Sequence, residues 1–145
     1  MTGHRWPPDD PREWLNRARS NLARAKAELP EVYLEDLCFD AQQAAEKAIK
    51  AVLISQNKRF PHVHDLAQLL SLAEESGLGV PEEIKKTVGL TRYAVVARYP
   101  AISEPVTADE HREALELASN ILAWAEAMIK KEESIKNIQG KLRKE

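Results

Sequence analysis

The chain has 145 residues, 43% of them hydrophobic and 30% charged, and its formal net charge is −2. This length suits one domain with a substantial core, and the charge balance argues against a general attraction to nucleic acid while leaving local basic patches open. The single cysteine excludes an intramolecular disulfide. No apolar run approaches the roughly 18 residues of a membrane span, and the N-terminus lacks a signal-peptide core. We therefore expect a cytoplasmic protein that does not enter a membrane.

The first predicted helix begins after a Pro-containing leader, residues 1–9, which we expect to be flexible. Asp10 suits the N-cap and Pro11 the first helical position. The apolar face that follows at helical spacing consists of Trp14, Leu15, Ala18, Leu22, Ala25 and Leu29. Arginines and lysines occupy the rest of its surface. They favour a solvated face, with phosphate binding as the alternative.

Residues 36–53 predict a central helix, because the stretch is alanine-rich and contains neither Gly nor Pro. We expect this helix to begin near Pro30 and to end near Gln56. One stripe is apolar and small, and the stripe roughly opposite is polar; the polar stripe consists of Asp36, Asp40, Gln43, Lys47 and Lys50. Cys38 lies on the apolar side, which favours an inert buried thiol.

A third helix is predicted after Asp65, which can act as its N-cap. His62 and His64 lie two residues apart just before it, and this spacing invites a metal site. Zinc usually takes three or four protein ligands, and no further Cys or acidic cluster shares the spacing. We therefore predict no metal site and interpret His64 as a helix-start residue packed against its neighbours.

Two more helices complete the predicted set. Pro81 opens the fourth, which we expect to run to Tyr99-Pro100 with Gly89 as a weak point. Thr107 and Glu110 form a capping box that starts the last helix, and residues 132–145 are a charged tail, either a frayed helix or disordered. The prediction is an all-α antiparallel bundle of about five helices spanning residues 10–131.

The stretch 90–100, LTRYAVVARYP, places two arginines and two tyrosines in an otherwise apolar helix end. Arg92 and Tyr99 are seven residues apart and share a face if the helix persists. A guanidinium beside a phenol can bind phosphate and stack on a base. The alternative is structural: Arg92 pairs with an acid such as Asp40, and the tyrosines fill the bundle.

Three blocks in this order resemble the HEPN domain of prokaryotes: AQQAAEKAIKAVL at 41–53, HDL at 64–66, and RY…RYP at 92–100. The resemblance implies a small bundle with a four-helix up-and-down core that forms a homodimer. It also implies nucleotide binding and a minimal nucleotidyltransferase as a partner encoded nearby. Several family members are metal-independent ribonucleases or toxins of toxin–antitoxin pairs.

The ribonuclease motif of that family is an Arg followed, after four to six residues, by a His. Counted from Arg92, the His would stand at Ala97, Arg98 or Tyr99, and none of these is a histidine. A guanidinium cannot exchange a proton near neutral pH as RNA cleavage requires. We therefore assign no catalytic residue and expect no cofactor.

The leading hypothesis from the sequence is a HEPN domain that binds a nucleotide, RNA or a nucleotidyltransferase. The candidate binding residues are Arg92, Arg98, Tyr99, Asp40, Gln43 and Lys47, with Tyr93 and His64 as weaker candidates. The first alternative is a HEPN ribonuclease acting as a toxin, in which His64 or His111 replaces the missing base. The second alternative is a purely structural assembly module.

Overall fold

The computed structural model describes residues 3–60, 62–96 and 105–144. Within these ranges all regular secondary structure is helical, which confirms the predicted all-α bundle. In chain order the elements are α1 (Pro11–Lys26), α2 (Leu34–Ser55), α3 (Leu66–Glu75), α4 (Glu82–Lys85), a 3-10 segment (Lys86–Arg92), α5 (Tyr93–Val96) and α6 (Ala108–Lys144).

Side-chain caps start α1, α3 and α6 where the sequence predicted them. Asp10 accepts a hydrogen bond from the Arg12 amide at 2.9 Å, with Pro11 at the first helical position. Asp65 does the same for the Ala67 amide at 3.0 Å. At α6, the Thr107 hydroxyl accepts from the Glu110 amide at 3.1 Å, and the Glu110 carboxylate accepts from the Thr107 amide at 3.0 Å. Each bond satisfies an amide that a helix start leaves without a partner.

The core is built around α2, which packs against both α1 and α6. Its predicted apolar stripe is buried as expected, and the small side chains let the neighbouring helices approach closely; the stripe is Leu37, Ala41, Ala45, Ala48 and Val52. Ile49 and Leu53 are fully buried, and each contributes roughly 1.5–3 kcal/mol of hydrophobic stabilisation. The opposite stripe is only partly solvated, because Asp40 and Lys50 are buried as well.

Three boundaries differ from the prediction. Helix α2 begins at Leu34 rather than near Pro30, since residues 29–32 form a turn closed by the Val32 amide and the Leu29 carbonyl at 3.1 Å. The single helix predicted from Pro81 to Tyr99 is divided into α4, the 3-10 segment and α5 over its described part. Helix α1 ends at Lys26, so Leu29, predicted on its apolar face, lies beyond the helix and is 60% exposed. The charged tail is helical to Lys144, as in the first of its two predicted alternatives.

The described part of the leader lies along α1. The Trp6 amide donates to Glu13 Oε1 at 2.9 Å, the Trp14 indole to the Pro8 carbonyl at 2.7 Å, and Asn16 Nδ2 to the His4 carbonyl at 3.0 Å. These hydrogen bonds fix residues 3–8 against the side of α1. In the ranges described, each helix is too short or too polar to traverse a lipid bilayer.

Candidate functional site

Arg92 lies where the 3-10 segment meets α5, opposite the start of α6. Its Nη2 donates to the Tyr93 hydroxyl at 2.6 Å and to Glu110 Oε2 at 2.8 Å. The guanidinium carbon is 4.6 Å from the centroid of the Tyr93 ring, within the range of a cation–π contact. The Arg92 side chain remains 56% exposed. Arg92 is therefore held in place from one side and open to solvent on the other.

The two partners of Arg92 are themselves fixed. Hydrogen bonds from Thr107 and from Arg92 lower the pKa of Glu110, so this side chain is a carboxylate at neutral pH. Burial raises the pKa of Tyr93, which therefore keeps its proton. Burial also raises the pKa of the Cys38 thiol to about 11, and a hydrogen bond from Tyr93 only partly offsets it. The thiol is fully buried, as the sequence predicted, and inert.

A cleft of about 310 Å³ opens beside Arg92, between the 3-10 segment and α6. Its lining carries two cations, Lys86 and Arg92, and two carboxylates, Glu110 and Glu113. Over the described residues these charges cancel, so the attraction for an anion depends on the Arg92 nitrogens that donate to no described group. Arg98 and Tyr99, the other two predicted residues of this region, lie outside the described residues.

Asp40, Gln43 and Lys47 contact other groups than Arg92. Asp40 Oδ1 accepts from Asn21 Nδ2 at 3.0 Å, and Lys47 Nζ donates to Asn21 Oδ1 at 2.7 Å. Gln43 donates to Gln42 Oε1 at 2.8 Å. The ion pair considered between Arg92 and Asp40 is not formed, because Arg92 pairs with Glu110 and Asp40 with Arg24, whose Nε is 3.4 Å from Oδ2.

His64 is held by a buried carboxylate of α2. Its Nδ1 lies 2.8 Å from Glu46 Oε1, while Glu46 Oε2 pairs with Lys50 Nζ at 3.0 Å. Gln42 also donates to Glu46 Oε1, at 3.2 Å. His64 thus packs against α2 next to the start of α3, and within the described residues its ring is hydrogen-bonded to Glu46 and not to Arg92.

His111, the other candidate for a catalytic base, is buried, and its Nε2 lies 2.8 Å from the Ala25 carbonyl. It joins α6 to the end of α1. The described hydrogen bonds of both histidines are therefore to groups other than Arg92. Within the described ranges, no three His, Cys, Asp or Glu side chains are grouped as a metal site would require.

Two residues of these arrangements were missed in the sequence. Glu110 was recognised only as part of a capping box, although its spare oxygen holds Arg92. Asn21 carried no signal at all, since a buried asparagine on α1 has no pattern that pairs it with Asp40 and Lys47 of α2.

Comparisons with known proteins agree with this architecture. The model of the HEPN domain matches residues 11–128. The crystal structure of TT1696 from Thermus thermophilus is 34% identical with a TM-score of 0.73, covering 81% of this chain and 97% of that one. The structure of ST0689, an archaeal HEPN homologue, is 27% identical with a TM-score of 0.67, covering 83% and 98%. A search of curated proteins finds no match.

Proposed function

The chain belongs to the HEPN family, and we propose that it binds a phosphate group of a nucleotide or of RNA through Arg92. The observation that carries this proposal is the way Arg92 is held. Its hydrogen bonds to the described residues all leave from Nη2, to Tyr93 and Glu110, so Nε and Nη1 donate to no group in that part of the chain. These two nitrogens point to different edges of the planar guanidinium, so each can donate one charge-assisted hydrogen bond to a phosphate oxygen.

The proposed site includes Arg98 and Tyr99, which follow Arg92 in the sequence block that resembles the family motif. Arg98 would add a third cation, which the cleft needs because Lys86 and Arg92 are balanced by Glu110 and Glu113. Tyr99 would supply a ring on which a base stacks. Binding without cleavage is the proposed role, since positions 97–99 contain no histidine and the recorded contacts of His64 and His111 lie elsewhere.

We further propose a homodimer and a nucleotidyltransferase partner, as the family resemblance implies. Val95 supports an interface next to the site, because this apolar side chain of α5 is 54% exposed three residues after Arg92. Light scattering of the purified protein tests the dimer. Co-purification with the product of an adjacent gene tests the partner.

The test of the binding site is a titration with ATP and with a short RNA at fixed salt. Wild type is compared with Arg92→Ala, Arg98→Ala and the control Arg112→Ala, an exposed arginine of α6 that pairs with Asp109 at 2.9 Å. We expect Arg92→Ala to weaken binding by about tenfold or more, the effect of losing a charged hydrogen bond, and Arg112→Ala to change it little. Equal affinities for all four proteins would remove the site.

The same RNA, incubated with wild type in EDTA, distinguishes binding from cleavage. We expect it to stay intact. Fragments that disappear with Arg92→Ala would instead identify a metal-independent ribonuclease with an unusual base.

A further inference from the structure

A second cleft, of about 270 Å³, lies between α1 and α2, with residues 3–5 of the leader as a third wall. We call it the α1–α2 cleft. Four cations line it, namely Arg5, Arg17, Arg24 and Lys47, together with a single carboxylate, that of Glu13. In a chain whose net charge is −2, this lining is strongly basic. It shares no residue with the cleft at Arg92.

Two buried carboxylates form ion pairs with two of the three arginines of this cleft. Glu13 holds Arg17 with an Oε2–Nε distance of 2.8 Å, and Asp40 holds Arg24 with an Oδ2–Nε distance of 3.4 Å. Both carboxylate side chains are only 8% exposed, whereas the Arg17 and Arg24 side chains are 61% and 71% exposed. Because each pair uses Nε, both terminal nitrogens of each guanidinium keep donors for a ligand.

Lys47 completes the arrangement from the α2 side. Its ammonium is half-buried, and the recorded hydrogen bond of Nζ, within the described residues, is to the neutral Asn21 amide at 2.7 Å. Burial lowers the pKa of Lys47. A cation withdrawn from water and bonded to a neutral group gains more from an anion than a fully solvated one does. The Asn21 amide is fixed in turn by Asp40, so the ammonium has a defined position.

We propose that the α1–α2 cleft binds the di- or triphosphate group of a small ligand, with Arg17, Arg24 and Lys47 as the binding residues. Two forked guanidiniums and one ammonium match the several oxygens of a compact polyanion. The cleft volume fits a small ligand better than a polymer, and the leader blocks one side. This inference does not rest on the function proposed for Arg92.

The test is calorimetric titration of the full chain with inorganic tripolyphosphate. Arg24→Ala and Lys47→Met should each weaken binding by about tenfold or more. The matched control is Arg19→Ala, an arginine of the same helix that pairs with Glu126 at 3.4 Å and does not line the cleft. Arg19→Ala and Arg92→Ala should stay within about twofold of wild type. Circular dichroism confirms that each variant is folded.

Three outcomes would overturn the proposal. The first is that the wild-type protein does not bind tripolyphosphate. The second is that Arg19→Ala weakens binding as much as Arg24→Ala, which indicates unspecific electrostatic attraction. The third is that Arg92→Ala abolishes tripolyphosphate binding instead, which assigns the anion to the cleft at Arg92. A 5′-hydroxyl oligoribonucleotide distinguishes a phosphodiester backbone from a polyphosphate. If Lys47→Met abolishes its binding while tripolyphosphate does not bind, the cleft is a nucleic-acid site and the proposal fails.

Discussion

The carboxylates of α2 and the carboxylate at the start of α6 all pair with cations, but they differ in their exposure to solvent. The Asp40 and Glu46 side chains are 8% and 5% exposed, while that of Glu110 is 35% exposed. A buried carboxylate is costly to leave without its partner, so its pairs belong to the folded state. An exposed pair is screened by water and contributes little. The Lys50 side chain, 8% exposed, is therefore fixed beside α2 before a ligand arrives, whereas Arg24 and Arg92, 71% and 56% exposed, can exchange a carboxylate for a ligand.

The largest expected effect comes from Glu46→Ala. It leaves the Lys50 ammonium buried, at 6% residue exposure, without the carboxylate 3.0 Å away. We expect the free energy of unfolding in urea to fall by about 3–5 kcal/mol, as for other broken buried pairs. Glu116→Ala, an exposed position on α6, is the control. A loss below about 1 kcal/mol for Glu46→Ala would place this pair with the exposed ones.

The Glu46 carboxylate should also make the stability of the protein depend on pH in the acid range. Burial raises the pKa of Glu46, but hydrogen bonds from His64 and Lys50 outweigh it, and the net pKa lies below the ordinary value of 4.5. A group whose pKa is lowered by folding stabilises the protein above its unfolded pKa, and this contribution is lost as the pH falls through the folded pKa.

We therefore expect the free energy of unfolding to decline below about pH 4.5. Glu46→Gln should show a shallower decline than wild type, measured by urea unfolding at a series of pH values. Parallel pH profiles for the two proteins would contradict the assignment.

Asp40→Ala should have the next largest effect. It removes the acceptor of the buried Asn21 amide, which lies 3.0 Å away, and an unsatisfied buried donor costs roughly 1–3 kcal/mol. Asp36→Ala, on the same helix but exposed, should leave the unfolding free energy nearly unchanged. Equal urea midpoints for Asp40→Ala and Asp36→Ala would contradict the prediction that the buried aspartate contributes more to stability than the exposed one.

Gly89→Ala should give the smallest effect and the opposite sign. Gly89 lies in the 3-10 segment beside Arg92, does not have a positive φ, and a methyl group there meets nothing within 4 Å. Replacing it should raise the unfolding free energy by about 0.4–1 kcal/mol, because the unfolded chain loses freedom. A decrease would mean that the segment needs the glycine, and Gly79→Ala, also open, provides the comparison.

Much of the fold was predictable because its signals are local. Asp10, Asp65 and the Thr107–Glu110 pair start helices through bonds within three residues of each other. The 3-10 segment was not predictable from these signals, because tertiary contacts shape it. The Thr91 hydroxyl, for example, accepts from the Leu66 amide at 3.2 Å, and that partner lies on another helix.

The candidate site was predictable only in part. Helical periodicity placed Asp40 and Lys47 on one stripe, but periodicity gives an angle about one axis and not the identity of the neighbouring helix. Their shared partner is Asn21 of α1, so the sequence joined to Arg92 two residues that contact α1 instead. Lys47 lines the α1–α2 cleft, and Asp40 pairs with Arg24 of that cleft. Which acid would pair with Arg92 was likewise a question of tertiary packing.

The single thiol, finally, can report on local opening of the structure near Arg92 through the rate at which it is modified. Cys38 lies under Tyr93, whose hydroxyl also contacts Arg92, and the side chain is fully buried. A thiol reagent can therefore react only when a local opening, such as movement of Tyr93 and α5 away from α2, exposes Cys38. The modification rate measures how often this happens, without any introduced label. A ligand that binds Arg92 should lower the modification rate of Cys38, so this rate measures how much of the site at Arg92 is occupied by ligand.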